Sequence, residues 1–578
     1  MTADYIQSRP VQSQRISGVR RALLPLLITL VVLVALLFGT AWLPLRLGRD
    51  AWLRGDDRSA IAIGEKWSPL HVWPSQYHQL LAAAYLTAGN PAAARPHLGA
   101  IGSMRLSIIP KDVVARRLFA HERYSDFLSY DTASRDAREN PDVPLYRAAA
   151  MLATGRLVDA QKAFASTEKP HVDASRYAAM QRALADRESG TVPYVFDRNG
   201  GTIAIIRSND VVPADDAFAP LISREAGQLT IGAQLKQLGA NTTIETTLDP
   251  FVQKAALKAL GNFRGSLVAI DPRTNEILAI ASSGSGPLAN LALEHQYEPG
   301  SVVKVLTGLN AAGTAGVPPA SVAVGSRAGG TPAVPGFPYT CKGYLDIDGH
   351  RFVDWVPSGH GELKTIDDAL AVSCNIFFAD LGIRLGADRL THFMTAAGFD
   401  GQANLGVFDV PLGKTIGPLS DHLAIANYAI GLEHESMNAL HVAMIASMMA
   451  NRGELTTPRL LIQRRSILGD VIWKAPAQRK SRLASPATAE VIVHAMEAVA
   501  SDANGTGHRA LVPGITLAMK TGTAGERKAG LNALILAFAP VQSPRIAFAV
   551  IAEDAGPAEF AGAKIAHDFL EGMADRLK

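Results

Sequence analysis

Gly265-Ser-Leu-Val-Ala-Ile-Asp-Pro-Arg-Thr-Asn-Glu-Ile-Leu-Ala-Ile280 is the stretch that decides the fold. Two apolar runs of strand length flank the turn-forming residues Asp271 to Asn275, so the segment predicts two adjacent strands. Near the C-terminus, Leu531 to Ala539 and Arg545 to Ala552 supply two more strand-like runs, and Ala561 to Lys578 has amphipathic helical spacing. Apolar helical runs follow Ser301 and Ser436. This order predicts that residues 246–578 form a mixed α/β (α+β) domain, an antiparallel sheet flanked by helices.

Upstream of that domain, Val192 to Ile206 alternates around an Asn-Gly turn, which predicts a hairpin in a small β and linker segment, 189–245. Residues 46–188 are rich in alanine, leucine and arginine and read as helix pairs. Gly55 with Ala60, Gly89 with Ala94 and Leu98, and Gly155 with Ala160 and Phe164 repeat one spacing, with a weaker unit expected at His121 to Phe127. The step of 34 residues from Gly55 to Gly89 resembles tetratricopeptide repeats, which would offer a docking surface for a protein partner. An ordinary Ala-rich helical domain without a groove fits the same residues.

Ala22 to Leu45 is a nearly uncharged run of 24 residues. As a helix it would extend about 36 Å, enough to cross a hydrocarbon core of about 30 Å. Arg9, Arg15, Arg20 and Arg21 precede it, so residues 1–21 are expected to be a cytoplasmic tail and 22–45 a single transmembrane helix. Everything after Arg46 would then lie outside the cytoplasm. A cleaved signal peptide is the competing reading, with Gly39-Thr-Ala41 as its small-x-small site, but the run exceeds the apolar core of about 7–15 residues usual there.

A net charge of +3 over 578 residues argues against a nucleic-acid partner. Cys341 and Cys374 are the only cysteines, too few for a disulfide scaffold or a cysteine-based zinc site. They could pair outside the cytoplasm, or Cys374 could be a buried free thiol. No cofactor and no metal are expected. Leu412-Gly-Lys-Thr415 is not a phosphate loop, because Phe408 stands where a glycine is required. His434 and His441 read as helix-flanking residues rather than ligands.

Three short motifs carry the chemistry: Ser301-Val-Val-Lys304, Ser373-Cys-Asn375 and Lys520-Thr-Gly522. Their order is the signature of serine acyltransferases that recognise penicillin. Ser301 and Lys304 are three apart and share a face of a helix expected to start at Ser301 after Pro299-Gly300. Burial among Val302, Val303, Val305 and Leu306, with Lys520 close by, would disfavour the Lys304 ammonium and let it act as a base. Ser373 is placed to relay a proton to a leaving amine, and Asn375 to hold a substrate carbonyl. Lys520, Thr521 and Thr523 suit a terminal carboxylate, and Gly522 admits a substrate backbone. The backbone amides of Ser301 and Thr523 are the candidate oxyanion hole. Two similar strings have bland readings: Ser166 to Lys169 as a solvated helix face, and Ser436 as the N-cap of the following helix.

From Thr246 onward the chain resembles the transpeptidase domain of the penicillin-binding proteins. The resemblance rests on Thr246-Thr-Leu-Asp-Pro-Phe-Val-Gln253, Tyr297-Glu-Pro-Gly-Ser301, His360-Gly361, Ala450-Asn-Arg-Gly453 with Pro458, Asn504-Gly-Thr-Gly507 and Phe538-Ala-Pro540. It implies that Ser301 is acylated by a D-Ala-D-Ala stem peptide of peptidoglycan, that an amine of a second stem accepts the acyl group, and that β-lactams acylate the same serine. A single anchor without a glycosyltransferase domain is similar to the monofunctional class B group of the bacterial cytoplasmic membrane, whose catalytic domain faces the periplasm. The alternatives are a D,D-carboxypeptidase or β-lactamase of the same fold, or a non-catalytic scaffold or β-lactam sensor.

Overall fold

The computed structural model describes residues 16–578 except 71–72, 105–106, 137–139, 168, 209, 223–234, 236–237, 239–240, 285–289, 314–333, 407 and 526–529. The expected tail as far as Arg15 lies outside the described residues, as does much of the connector before Gly239. The chain divides into two compact units, Met1–Ala185 with Ser466–Ile472, and Asp186–Arg465 with Trp473–Lys578.

The first unit is helical. Its first helix runs from Ile16 to Leu53 with Pro25 and Pro44 inside it, and it buries Leu45, Ala51 and Trp52 in this unit's core. Among the described residues no helix is long and apolar enough to cross a membrane. The predicted span falls within this first helix, and the described side chains from Leu26 to Leu36 are exposed.

One turn is made four times in this unit. Gly55, Gly89, Glu122 and Gly155 all hold a left-handed φ, at steps of 34, 33 and 33 residues. The next residue in each case, Asp56, Asn90, Arg123 or Arg156, donates its N–H to the carbonyl five residues back, at 2.8–3.0 Å. That bond closes the preceding helix on a left-handed residue, where glycine costs least. The expected weaker unit is therefore the same turn with Glu122 in the glycine's place, which is why its glycine signal is missing. Ala60, Ala94 and Ala160 are fully buried, as a close helix–helix approach requires.

The second unit is built on a five-stranded antiparallel sheet. Its strands are β1 (Gly265–Asp271), β2 (Glu276–Ser283), β3 (Ala518–Ala524), β4 (Asn532–Ala539) and β5 (Ile546–Ala552), in the spatial order β3-β4-β5-β1-β2. All seven residues of β1 and of β5 are buried, so these strands read as continuous apolar runs and not as an alternation. Covering both faces with helices has that effect even in an antiparallel sheet. Six helices matter here: α1 (Pro250–Leu260), α2 (Lys304–Ala312), α3 (Asn375–Leu385), α4 (Ala439–Ala450), α5 (Pro486–Ser501) and α6 (Ala561–Gly572). Helices α1 and α6 pack on each other and on the sheet, and α4 also packs on β1, β4 and β5. Every one of the 12 residues of α4 is buried, as expected of a helix apolar all round. The strands, their turn and the C-terminal helix match the expectation from sequence. The predicted hairpin is Val192–Phe196 with Thr202–Arg207, and Thr242–Thr246 joins it as a parallel neighbour.

Candidate active site

The first motif does not open an α-helix. Gly300–Val303 form a single 3-10 turn, and α2 starts at Lys304. Residues three apart eclipse in 3-10 geometry, so Ser301 and Lys304 still share a face. Gly300 sets this turn: its φ is +53°, and its N–H donates to the Gly431 carbonyl at 2.8 Å. A Cβ there would stand 2.7 Å from the Thr523 carbonyl oxygen, and one on Gly522 would stand 2.7 Å from the Pro299 oxygen. Two missing side chains thus let the Ser301 turn and β3 meet backbone to backbone, with the Ser301 and Thr523 amides at that junction.

Lys304 is fully buried. Its Nζ donates to the Ser373 carbonyl at 2.8 Å, to Ser373 Oγ at 3.2 Å and to Asn375 Oδ1 at 2.5 Å. Burial pushes its pKa down to about 8, against the pull of the Asp354 carboxylate. Lys520, equally buried on β3, donates to the same Ser373 Oγ at 2.9 Å and to the Thr521 carbonyl at 2.8 Å. Burial, and then repulsion from Lys304, holds its pKa well below that of an ordinary lysine. Two buried lysines from distant segments therefore share one serine hydroxyl.

The second motif reaches this position through an unusual backbone. Ser373 has a left-handed φ of +53°, a conformation that costs a non-glycine residue about 1–3 kcal/mol. It sits between the short helix Ile366–Ala371 and α3, whose first residue is Asn375. Helix α3 is capped by Cys374, whose Sγ accepts the Phe377 N–H at 3.4 Å. This turn aims Ser373 and Asn375 at the same lysine.

On β3 the two threonine hydroxyls are already engaged. Thr521 donates to Thr506 Oγ1 at 2.6 Å, and Thr523 accepts the Ala558 N–H at 3.0 Å. Thr506 in turn gives its N–H to the Ala371 carbonyl at 3.1 Å, tying β3 to the segment that carries Ser373. In the sequence, Asn504-Gly-Thr-Gly507 is a family landmark only, and nothing there gives Thr506 a part.

The look-alike strings separate cleanly. Ser166 and Lys169 are exposed, and the Ser166 hydroxyl merely donates to the Ala163 carbonyl at 2.7 Å. Ser436 lies on a short strand, Glu435–Ser436, and does not cap α4 as expected. Asn438 does, accepting the His441 N–H at 2.9 Å. His441 is likewise no helix-flanking residue: it lies inside α4, fully buried. Cys341 and Cys374 are buried free thiols, and they meet beside Asp354 and His360.

The penicillin-binding protein transpeptidase domain matches residues 265–320 and 336–572, slightly more than half of the chain. The peptidoglycan D,D-transpeptidase PbpA of Mycolicibacterium smegmatis is 29% identical over 351 residues, covering 54% of this chain and 67% of that protein. The peptidoglycan D,D-transpeptidase MrdA of Acinetobacter baumannii is 28% identical, covering 53% and 50%. Among solved structures, the imipenem acyl-enzyme complex of penicillin-binding protein A from M. tuberculosis shares the fold with a TM-score of 0.57 at 23% identity, over 67% of this chain and 99% of that one.

Proposed function

Because the chain belongs to the penicillin-binding protein transpeptidase family, we propose that it is a peptidoglycan D,D-transpeptidase working through an acyl-enzyme at Ser301. The observation that carries this reading is the convergence of Lys304 and Lys520 on Ser373 Oγ beside the Ser301 turn. A neutral Lys304 takes the Ser301 proton as Oγ attacks the carbonyl of the penultimate D-alanine of a stem peptide. The amides of Ser301 and Thr523 donate to the oxyanion that forms. As the tetrahedral adduct collapses, the Ser373 hydroxyl gives its proton to the departing D-alanine amine and is resupplied by Lys304, which passes on the proton taken from Ser301 and is neutral again. Asn375 already accepts from Lys304 through Oδ1, so its amide N–H groups are the ones turned to a substrate carbonyl. Lys520 with Thr521 and Thr523 holds the terminal carboxylate, and Gly522 lets the peptide backbone lie against β3.

The amine of a second stem then attacks the ester and regenerates Ser301. A β-lactam enters by the same attack, but its leaving nitrogen stays tethered after ring opening, so the adduct persists. Labelling with fluorescent penicillin should mark the wild type and not Ser301→Ala. A donor stem peptide with an acceptor amine should yield the cross-linked dimer; rapid β-lactam hydrolysis in place of a lasting adduct would contradict the transpeptidase assignment.

The exposed apolar side chains from Leu26 to Leu36 support a single-pass anchor that places the catalytic unit outside the cytoplasm, in the periplasm. The fourfold helix-pair repeat supports a surface for a protein partner in wall synthesis. Full-length protein should sediment with membranes, and a version starting at Arg46 should not.

A further inference from the structure

Next to the second motif, four side chains of metal-ligating type come together: Cys341, Asp354, His360 and Cys374. Their ligand atoms all lie within 4.8 Å of one another. Three of the four residues are buried, and the His360 side chain is only 9% exposed.

Hydrogen bonding alone accounts poorly for this packing. Asp354 Oδ2 has Cys341 Sγ at 3.5 Å, Cys374 Sγ at 3.5 Å and His360 Nδ1 at 3.3 Å. A carboxylate oxygen has roughly two lone-pair directions for these three neighbours. Cys341 Sγ and His360 Nδ1 are also 3.5 Å apart, with no carboxylate between them. For zinc bonds of about 2.0–2.3 Å, the edges of a tetrahedron are about 3.3–3.8 Å, which spans these separations.

Strand pairing and glycine turns set the positions of the four residues. Cys341 ends the strand Tyr339–Cys341, and His360 immediately precedes the strand Gly361–Leu363 that pairs with it in the register Gly361 to Cys341. Gly343 and Gly359 both hold left-handed φ values, and a Cβ on Gly359 would lie 2.3 Å from the Cys341 carbonyl oxygen. The Asp354 N–H is fixed to the Gly343 carbonyl at 2.8 Å, and Oδ1 of Asp354 accepts the Trp355 N–H at 2.7 Å, which leaves Oδ2 for the cluster. Cys374 is held as the cap of α3.

We propose that these four residues form a structural zinc site. Two thiols, one imidazole and one carboxylate favour a tetrahedral borderline-soft ion, and four protein ligands close the sphere to water. Binding releases the two thiol protons to solvent as the thiolates bond to the metal, with no change of oxidation state. The site replaces the sequence-based expectation that two cysteines are too few for zinc: the remaining ligands are a histidine and an aspartate, which no cysteine count reveals. Its consequence for the chemistry is positional. Cys374 lies between Ser373 and Asn375, so a metal bond to its sulfur anchors both residues that Lys304 contacts.

The test uses the full-length protein purified with ZnCl2 present and then dialysed. Elemental analysis should find one zinc per chain, and Cys341→Ser and Asp354→Asn should each weaken zinc binding by about tenfold or more. Stripping the zinc with a chelator should slow fluorescent-penicillin acylation about tenfold, with recovery on adding ZnCl2, while Ser301 remains the labelled residue. His360→Gln, at the more open edge of the cluster, carries the test if the cysteine variants do not fold. Wild-type protein that labels with penicillin yet retains no zinc after incubation with ZnCl2 would overturn the proposal. So would an intact mass two hydrogens light, the mark of a Cys341–Cys374 disulfide. Zinc content is read independently of acyl transfer, so failure of this proposal leaves the transpeptidase reading standing, and the reverse also holds.

Discussion

At the scale of single residues, the account turns on Lys304 and the hydroxyl it shares with Lys520. Only neutral Lys304 can take the Ser301 proton, and its pKa is brought down to about 8. Below that value the neutral fraction falls about tenfold per pH unit. The acylation rate is therefore expected to climb between about pH 6 and about pH 8 and to level off above about pH 9, as read by stopped-flow labelling. A flat profile would count against Lys304 as the base. Thr506→Val removes the acceptor of the Thr521 hydroxyl and should cost about 1–2 kcal/mol, or roughly tenfold, in acylation with little change in fold. The lysines were legible because their residue types and spacings admit few uses. Thr506 was not: a threonine in a Gly-Thr-Gly turn reads as turn chemistry until the fold lays it against β3.

At the scale of elements, small residues and caps place the motifs. Gly431 has a φ of +88°, and a Cβ on it would lie 2.0 Å from the Gly300 carbonyl oxygen. Gly431→Ala should thus displace the Ser301 turn and lower acylation at least about a hundredfold, while far-UV circular dichroism stays native. Asn438 is buried and caps α4, and its amide also donates to the Leu293 carbonyl at 2.8 Å and the Pro411 carbonyl at 2.7 Å. Asn438→Ala should destabilise the second unit by about 2–3 kcal/mol, measured by urea unfolding, because it removes the cap and orphans the buried Leu293 carbonyl, while the Pro411 carbonyl is part-exposed and can turn to water. Sequence favoured Ser436 for that cap; serine and asparagine both suit the position, and only the Glu435–Ser436 strand decides between them. The 3-10 start at Ser301 was similarly out of reach, since i,i+3 spacing fits both helix types and the Gly300–Thr523 contact that selects one is made by residues more than 200 apart.

At the scale of the whole molecule, the sheet of the second unit was largely readable because its strands are short, apolar and bounded by turn residues. The order of pairing was not, since β3 to β5 return beside β1 from the far end of the chain. The core this creates has a pH signature. His441 is fully buried in α4; its Nδ1 accepts the Gly413 N–H at 3.0 Å, and its Nε2–H donates to the Ala397 carbonyl at 2.9 Å. Burial pushes its pKa from 6.5 to about 4. The unfolded chain therefore binds a proton below about pH 6.5 that the folded chain refuses until about pH 4. Its contribution is intact above the upper value and lost as pH falls through that window, by about 3 kcal/mol. Urea unfolding of wild type at pH 7 and pH 4.5 should show the loss, and His441→Gln should reduce it.

The central claim is an acyl-enzyme at Ser301. Its most direct test is to incubate the protein with penicillin G, digest it, and locate the adduct by peptide mass spectrometry. A mass increase equal to the whole penicillin, confined to the peptide that holds Tyr297-Glu-Pro-Gly-Ser301 and fragmenting at Ser301, is the predicted result. An adduct on Ser373 or another residue, or no adduct on protein that folds, would contradict the account.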